Sequence, residues 1–174
     1  MAQSAPFEIR PLTRDDAPDW GALRLEALKN HPEAFGSSFE EFSQLDPGEV
    51  AARIPSPGGD DVLFGVFADG QLCGCAGFMR QPYLKGRHKG LMWGVYLRPI
   101  LRGKGVGEAL VARVIEQAQS CVEILTCSVN PENLGARALY LRHGFEVYGR
   151  EPRALRTGGR DHDEELLALI FPPA

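Results

Sequence analysis

Apolar and amphipathic runs alternate along the chain, and the clearest of them lie between residues 91 and 118. The run from Leu91 to Leu97 contains β-branched and aromatic residues and predicts a buried strand. Pro99 ends this strand, because proline cannot donate to a sheet ladder. Apolar residues then recur at the spacing of one helix face, at Val106, Leu110, Val111, Val114, Ile115 and Ala118. This stretch therefore predicts a strand, a glycine-rich turn and a helix.

The same patterns predict the remaining elements. Further strands are predicted at 7–12, 61–68, 71–80, 122–129, 145–151 and 164–171, and further helices at about 13–30, 47–54 and 131–143. Asp69-Gly70 stands between two apolar runs and predicts a hairpin turn. Residues 31–41 are rich in turn formers, and residues 81–90 predict a polar loop with basic side chains at 85–89.

The turn Arg102-Gly103-Lys104-Gly105-Val106-Gly107 has the features of a phosphate-binding site. The first amides of a helix have no intrahelical acceptor and lie at the positive end of its dipole. Glycines let a ligand approach the backbone, and Arg102 and Lys104 add positive charge. A P-loop is excluded because Gly105, not serine or threonine, follows Lys104. A dinucleotide fingerprint is incomplete because it needs glycine where the chain has Glu108.

Two motifs resemble those of the GNAT acetyltransferase superfamily. Arg102-x-x-Gly105-x-Gly107 is similar to its Arg/Gln-x-x-Gly-x-Gly/Ala loop, which holds the pyrophosphate of acetyl-coenzyme A (acetyl-CoA). Residues 133–145 are similar to its Asn-x-x-Ala-x-x-Leu-Tyr-x-x-x-Gly-Phe signature and follow a predicted strand. Taken alone, the first motif also fits a tight strand-to-helix connection, and the second fits a helix that packs a tyrosine into the core. Their occurrence in the family's order favours the resemblance.

The resemblance implies a fold and a domain organisation. The predicted element order is similar to that of the GNAT fold, an α/β (α+β) architecture with a mixed central sheet of about seven strands flanked by about four helices. The likeness extends over about residues 7–171 and is specific between 91 and 145. We therefore expect residues 1–174 to form a single domain of a small, bacterial-type member, which the length also favours.

Composition and charge exclude some classes of binding partner. The formal net charge is −4 with no face or tail dominated by lysine and arginine, which argues against nucleic-acid binding. The first residues predict no signal sequence and no apolar run is long enough for a membrane span, so we expect a cytoplasmic protein without a membrane partner. The four cysteines, Cys73, Cys75, Cys121 and Cys127, lack the usual zinc spacing. They predict buried reduced thiols and no metal.

The resemblance implies transfer of the acetyl group of acetyl-CoA, the co-substrate, to an amine by direct attack. The pantetheine arm should lie between the central strand and the 122–129 strand, near Asn133. Family geometry assigns the oxyanion to the backbone N–H of Val95, and Tyr140 is the expected general acid for the leaving thiolate. The residues that the resemblance assigns to cofactor binding are Val95, Tyr96, Leu97, Arg102, Gly103, Lys104, Gly105, Val106, Gly107, Asn133, Ala136 and Tyr140.

The general base does not follow the family's best-known pattern. Some members place a glutamate on the central strand, where this chain has Leu91, Met92 and Trp93. Only about one part in a thousand of an ordinary amine is neutral at pH 7, so a base elsewhere, a water relay or an acceptor of low pKa is needed. Acids in segments that line the acceptor cleft of relatives could attract a cationic amine, although each also fits a solvated surface residue. They are Glu40, Glu41, Asp60 and Asp61.

Three functions are compatible with the sequence. An acetyl-CoA-dependent N-acetyltransferase explains both motifs. A non-catalytic acyl-CoA sensor or binding module is suggested by the missing acid on the central strand, and a nucleotide-dependent oxidoreductase only by the Gly103-x-Gly105 pair. The acceptor stays open between a small-molecule amine, such as a polyamine, an amino acid or an antibiotic, and the N-terminal amine of a peptide or protein. Dimers are common in such relatives, so a homodimer is a further expectation.

Overall fold

The computed structural model describes residues 7–172 and contains one seven-stranded mixed sheet with helices on both faces. The strands are β1 (Phe7–Pro11), β2 (Val62–Ala68), β3 (Gln71–Arg80), β4 (Lys89–Leu97), β5 (Ile124–Val129), β6 (Glu146–Thr157) and β7 (Arg160–Ile170). The helices are α1 (Ala17–Asn30), α2 (Phe39–Ser43), α3 (Pro47–Ala52), α4 (Val106–Gln119) and α5 (Leu134–Arg142). Among the helices in this described range, none is both long and apolar enough to cross a membrane.

The strands lie in the order β1-β2-β3-β4-β5-β7-β6. Neighbours pair antiparallel throughout, except that β4 and β5 are parallel and are connected through α4. This arrangement confirms the predicted mixed sheet of seven strands. It also places the glycine-rich turn at the carboxyl end of β4, in the middle of the sheet.

Residues 7–172 contain five α-helices instead of about four, because α2 forms at the end of the passage that the sequence predicts as turns. A capping box starts this helix. The Glu41 N–H donates to Ser38 Oγ at 3.1 Å, and the Ser38 N–H donates to the Glu41 carboxylate at 3.3 Å. A helix of five residues is too short for apolar periodicity to reveal it, but the Ser-x-x-Glu pattern is visible in the sequence.

Two apolar clusters hold the layers together, one on each face of the sheet. Successive side chains of a strand point to opposite faces, and β3 shows the division. Leu72 and Cys75 belong to the cluster that includes Trp20 of α1, whereas Cys73 and Ala76 belong to the cluster that includes α4, because a bulge at Cys73 in the ladder with β2 shifts the alternation by one residue. The predicted apolar face of α4 is confirmed, since its buried residues are Val106, Leu110, Val111, Val114 and Ala118.

The two predicted hairpins are present, but the second is longer than expected. Asp69 and Gly70 have φ of 50° and 74° and form the tight turn between β2 and β3. The last two strands continue beyond their apolar segments to the turn at 158–159. Ion pairs across the strands accompany the extension, for example Arg150 with Asp163 at 2.8 Å. Hydrophobic alternation does not detect strands joined by such charged pairs.

The four cysteines are free thiols, three of them buried and Cys121 half-buried. Burial raises the pKa of Cys75 to about 11 and that of Cys127 to about 12, so both thiols stay protonated at neutral pH. The predicted burial is thus confirmed for Cys73, Cys75 and Cys127. Within residues 7–172, histidine, cysteine, aspartate and glutamate form no group of three or more that could hold a metal ion.

Candidate active site

A gap opens in the sheet where β4 and β5 separate. The strands pair over three positions, from Lys89 with Ile124 to Leu91 with Thr126. Beyond these positions the described strands do not pair with each other, although β4 continues to Leu97 and β5 to Val129. Backbone N–H and C=O groups along this edge of β4 are therefore available to a ligand.

A β-bulge interrupts β4 inside the gap. In the ladder between β3 and β4, Gly94 and Val95 together face the position of Ala76. Gly94 has φ +64°, a conformation that glycine adopts readily. A bulge changes the direction of the backbone groups within it, and Val95 is the second of its two residues.

The turn between β4 and α4 presents unpaired amides at the end of the gap. Gly105 is the N-cap of α4, with φ +77° and ψ −2°, and no side chain caps the helix in the described chain. The first intrahelical bond runs from Ala109 N to Gly105 O at 3.1 Å, so the N–H groups of residues 106–108 precede the first intrahelical donor. A Cβ added at Gly103 or Gly105 would meet nothing within 4 Å, which leaves this backbone open to a ligand.

Helix α5 holds the start of α4 in position. Arg142 Nε donates to Glu108 Oε1 at 2.8 Å, and a Cβ on Gly107 would lie 3.5 Å from Leu139 Cδ2. The hydrogen bond from Arg142 holds the pKa of Glu108 below its usual value. Glu108 is therefore ionised at neutral pH, but Arg142 neutralises a charge that would otherwise repel a phosphate.

The two cations of the turn have different roles. Arg102 folds back over the end of β4, where its Nε donates to Leu97 O at 2.9 Å. Its Nη2 lies 3.5 Å from His31 Nε2, and its guanidinium carbon lies 6.0 Å from the centre of the Tyr96 ring. Lys104 is exposed beside the unpaired amides. Arg102 thus links the turn to β4, and Lys104 supplies an accessible positive charge.

The predicted residues of the second motif lie on or just before α5. Tyr140 is on its inner face, 5% exposed, with its ring centre 5.9 Å from that of Phe145. Burial raises the pKa of Tyr140 far above its usual value, so its hydroxyl is protonated at neutral pH. Asn133 caps the helix, because its Oδ1 accepts from the Ala136 N–H at 3.2 Å. Its side-chain NH2 remains as the donor for a ligand.

Tyr96 differs from its neighbours on β4. The side chains of Val95 and Leu97 pack against the α4 cluster, whereas that of Tyr96 lies in the α1 cluster on the opposite face. Its hydroxyl donates to Glu26 Oε1 at 2.9 Å, and Arg98 binds the same carboxylate at 2.8 Å. Tyr96 can therefore contribute to the predicted cofactor site through its backbone, not through its ring.

A cavity of about 590 Å³ lies between the connection that follows α1 and the turn between β6 and β7. Its lining includes Leu28, Phe35, Phe39, Glu40, Leu155 and Thr157. Glu40 therefore has access to this cavity. Glu41 instead turns to the start of α2, where its carboxylate accepts the Ser38 hydroxyl at 3.0 Å.

Asp60, Asp61 and the basic loop lie at the other end of β4. Arg80 Nη1 binds Asp60 at 2.8 Å, and the Arg80 N–H donates to Asp61 Oδ1 at 2.7 Å. Arg80 pairs with Gly90, where β4 and β5 are still joined. The expectation that Asp60 and Asp61 line the acceptor cleft is therefore wrong for this chain. Residues 85–89 lie at the same end, away from the gap.

Two residues at the bulge on β4 are absent from the predicted site. Gly94 was available as a signal, because glycine inside an apolar strand indicates a bulge. Arg24 also gives a signal in the sequence, since it is a charged residue on the apolar face of α1, between Trp20 and Leu28. In the structure Arg24 is 8% exposed, and its Nη1 lies 3.6 Å from the position of a Cβ on Gly94.

Comparison with known proteins identifies the family. Residues 21–145 match the family model described as "Acetyltransferase (GNAT) family", which covers well over half of the chain. The chain therefore belongs to the GNAT family of acetyltransferases. It is an acetyl-CoA-dependent N-acetyltransferase, and the resemblance carried by the two motifs is confirmed.

Individual relatives share the fold over most of their length. The chain is 34% identical to the aminoglycoside N(6')-acetyltransferase type 1 of Stenotrophomonas maltophilia over 164 residues, covering 87% of this chain and 97% of the relative. It is 28% identical to the L-methionine sulfoximine/L-methionine sulfone acetyltransferase of Pseudomonas paraeruginosa over 116 residues, 66% of this chain and 67% of the relative. The yncA protein of Salmonella typhimurium, solved with its cofactor acetyl-CoA, superposes with a TM-score of 0.81 at 20% identity over 97% and 96% of the two chains. At that identity the likeness shows the fold alone.

Proposed function

We propose that this enzyme transfers the acetyl group of acetyl-CoA to a primary amine, which attacks the thioester directly. The observation that carries the proposal is the gap between β4 and β5, with a bulge on its β4 side and unpaired amides at its end. The names of the Stenotrophomonas and Pseudomonas relatives, which refer to an aminoglycoside and to amino acid analogues, support an amine acceptor.

The turn and the strand edge would hold the co-substrate. The pyrophosphate fits the amides of residues 103–108, because these donors converge at the positive end of the α4 dipole and no Cβ obstructs Gly103 or Gly105. Lys104 adds charge beside them. The pantetheine arm would run along the unpaired edge of β4 at Val95 and Leu97, as an added strand does, with the Asn133 side chain as a further partner.

The bulge would stabilise the charge that develops on the thioester oxygen. Donors that are fixed in position before the reaction contribute most to this stabilisation, because they need no reorganisation. Val95 is the second residue of the bulge, and its side chain packs against the apolar cluster under α4. We assign its N–H as the oxyanion donor. Acetyl-CoA supplies the activated acetyl group, and the chain supplies this fixed dipole.

Tyr140 would protonate the leaving thiolate. Its hydroxyl carries a proton at neutral pH, as a tyrosine does at its usual pKa of about 10, and burial raises the pKa further. It belongs to the same apolar cluster against which Val95 packs, so both groups act in a region of low dielectric constant where a proton donor has a strong effect. Ala136, one turn earlier on α5, is half-buried in that cluster and shapes its wall.

The acceptor would enter from the cavity lined by Phe35, Phe39 and Glu40. The Glu40 carboxylate would attract an ammonium group to the entrance. Leu91, Met92 and Trp93 supply no base on β4, so we assign proton removal to water that connects the cavity with solvent.

A calorimetric titration of the purified protein with acetyl-CoA tests the proposal, and NAD is the control ligand. We expect a dissociation constant on the order of micromolar for acetyl-CoA, no binding of NAD, and thiol release when an amine panel is added. Binding without thiol release for any amine would favour the sensor module, for which the missing acid on β4 is the specific observation. Absence of acetyl-CoA binding would overturn the proposal.

A further inference from the structure

Arg24 is a buried guanidinium group without a counter-charge in the described chain. Its Nη1 makes no hydrogen bond to any residue between 7 and 172, and the ion pairs in this range do not include it. Arginine is almost never fully buried unless it is paired, because the loss of hydration is costly. Burial accordingly lowers the pKa of Arg24, and the nearby charge of Arg53 adds repulsion. Such a position suits a residue whose partner comes from outside the chain.

The surroundings of Arg24 connect the acceptor cavity with the bulge on β4. Its guanidinium carbon lies 4.7 Å from the centre of the Phe35 ring, which lines the cavity. Its Nη1 lies 3.6 Å from the position of a Cβ on Gly94, the residue before Val95. The nearby backbone acceptor, Gly94 O, already receives the Cys75 thiol at 3.4 Å. Arg24 is thus next to the proposed reaction centre and has N–H donors that are not used within the described chain.

A second buried donor lies one turn earlier on α1. The indole N–H of Trp20 is buried beside the Cys75 thiol, which is a weak acceptor. Trp20 and Arg24 are four residues apart and therefore share a helix face. Arg24 Nη1 has no hydrogen-bond partner among residues 7–172, so a ligand that brings acceptor oxygens would satisfy it.

We propose that Arg24 binds a carboxylate of the acceptor, so that the acceptor is an α-amino acid. The inference rests on the proposed function, because the amine must reach a thioester at Val95. Gly94 separates Arg24 from that point, so the anionic group and the amine must be only a few bonds apart, as they are in an α-amino acid. The planar guanidinium suits two parallel hydrogen bonds to a carboxylate. A polyamine or an aminoglycoside would instead bring positive charge toward a buried cation.

The first test compares L-amino acids with their carboxamides as acceptors, using thiol release by the wild-type enzyme. The carboxamide keeps the amine and the side chain but lacks the negative charge. We expect kcat/KM to be higher for the amino acids, and Arg24→Met to lower it for them alone by at least about 10- to 150-fold, the effect of losing one of the two charge-assisted hydrogen bonds. Arg24→Lys should restore part of the activity. An equal loss for acids and carboxamides, or turnover of no amino acid, would overturn the inference.

The matched control is Arg53→Met. Arg53 is exposed near the same helix and lies over the Phe42 ring at 5.7 Å, outside the cavity lining. This variant should keep the preference for amino acids over carboxamides. If Arg53→Met also lost the preference, Arg24 would act only as one of several positive charges near the cavity and not by binding the carboxylate, and the inference would be overturned.

Thermal unfolding provides a readout that does not depend on activity. Because Arg24 is an unpaired buried charge in the free protein, Arg24→Met should raise Tm, whereas replacing a paired arginine would lower it. A lower Tm would show a partner within the chain and overturn the inference. Calorimetry with acetyl-CoA separates a failure of this inference from a failure of the proposed function. Arg24→Met should leave the affinity for acetyl-CoA unchanged, and only a wild-type protein that does not bind acetyl-CoA contradicts the proposed function.

Discussion

Gly105 has a left-handed backbone conformation, and the space where a Cβ would lie is open. A Gly105→Ala variant therefore separates the effect of this glycine on stability from its effect on acetyl-CoA binding. A non-glycine residue in the left-handed region costs about 1–2 kcal/mol. Alanine also restricts the unfolded chain, which returns about 0.4–1 kcal/mol. The net loss is about 1 kcal/mol, and for a chain of this size Tm should fall by about 2–4 °C.

The loss in affinity for acetyl-CoA should be larger. The new methyl group would occupy the side of the turn from which phosphate oxygens approach the amides of residues 106–108. Loss of one charge-assisted hydrogen bond costs about 1.5–3 kcal/mol, which raises Kd about 10- to 150-fold. The structure therefore predicts a modest change in stability together with a large change in binding.

Gly70→Ala is the matched control. Gly70 has φ +74°, close to the +77° of Gly105, and a Cβ there would also meet nothing within 4 Å, but it lies in the turn between β2 and β3. Both variants should lose similar stability in thermal unfolding, and calorimetry should show weaker acetyl-CoA binding for Gly105→Ala alone. An unchanged Kd for Gly105→Ala, or equal increases for both variants, would refute the assignment of this turn.

Two further predictions concern the acid and the fold. Tyr140→Phe should lower kcat about 100-fold while the calorimetric Kd for acetyl-CoA stays the same, and an unchanged kcat would remove Tyr140 from the acid role. Arg10 binds Asp16 at 2.7 Å and lowers its pKa from 3.8 to about 2, so Asp16→Asn should cost about 2 kcal/mol at pH 7. Because the folded-state pKa is the lower one, this difference should be complete above pH 4 and shrink as the pH falls toward about 2. Urea unfolding at pH 7 and pH 3 measures it, and a difference independent of pH would contradict the assignment to this ion pair.

Most of the architecture could be predicted because it depends on local patterns. The central strand, the Asp69-Gly70 hairpin and the apolar face of α4 each have a periodicity or a turn signal within a few residues. Helix α2 and the full length of β6 and β7 could not be predicted in this way. They depend on a capping box and on charged pairs between strands, which apolar periodicity does not detect.

The site could be predicted only where a backbone motif determines it. The glycines between Arg102 and Gly107 give the turn directly, but where the N–H of Val95 points depends on a bulge, which requires the pairing of β3 with β4. Arg24 belongs to a distant segment, and its proximity to Gly94 is a tertiary contact without a local pattern. For the same reason the sequence does not show that Asp60 and Asp61 lie away from the gap, where Arg80 binds them.

The gap between β4 and β5 also has a dynamic consequence. Three residue pairs form the backbone connection between a four-stranded half, β1 to β4, and a three-stranded half, β5 to β7. The apolar cluster under α4 packs both halves, so what the gap lacks is backbone hydrogen bonds, and an extended ligand would supply them along the rest of the edge. We therefore expect the β4 amides beyond residue 91 that face the gap to exchange their hydrogens faster in the free protein than in the loaded protein.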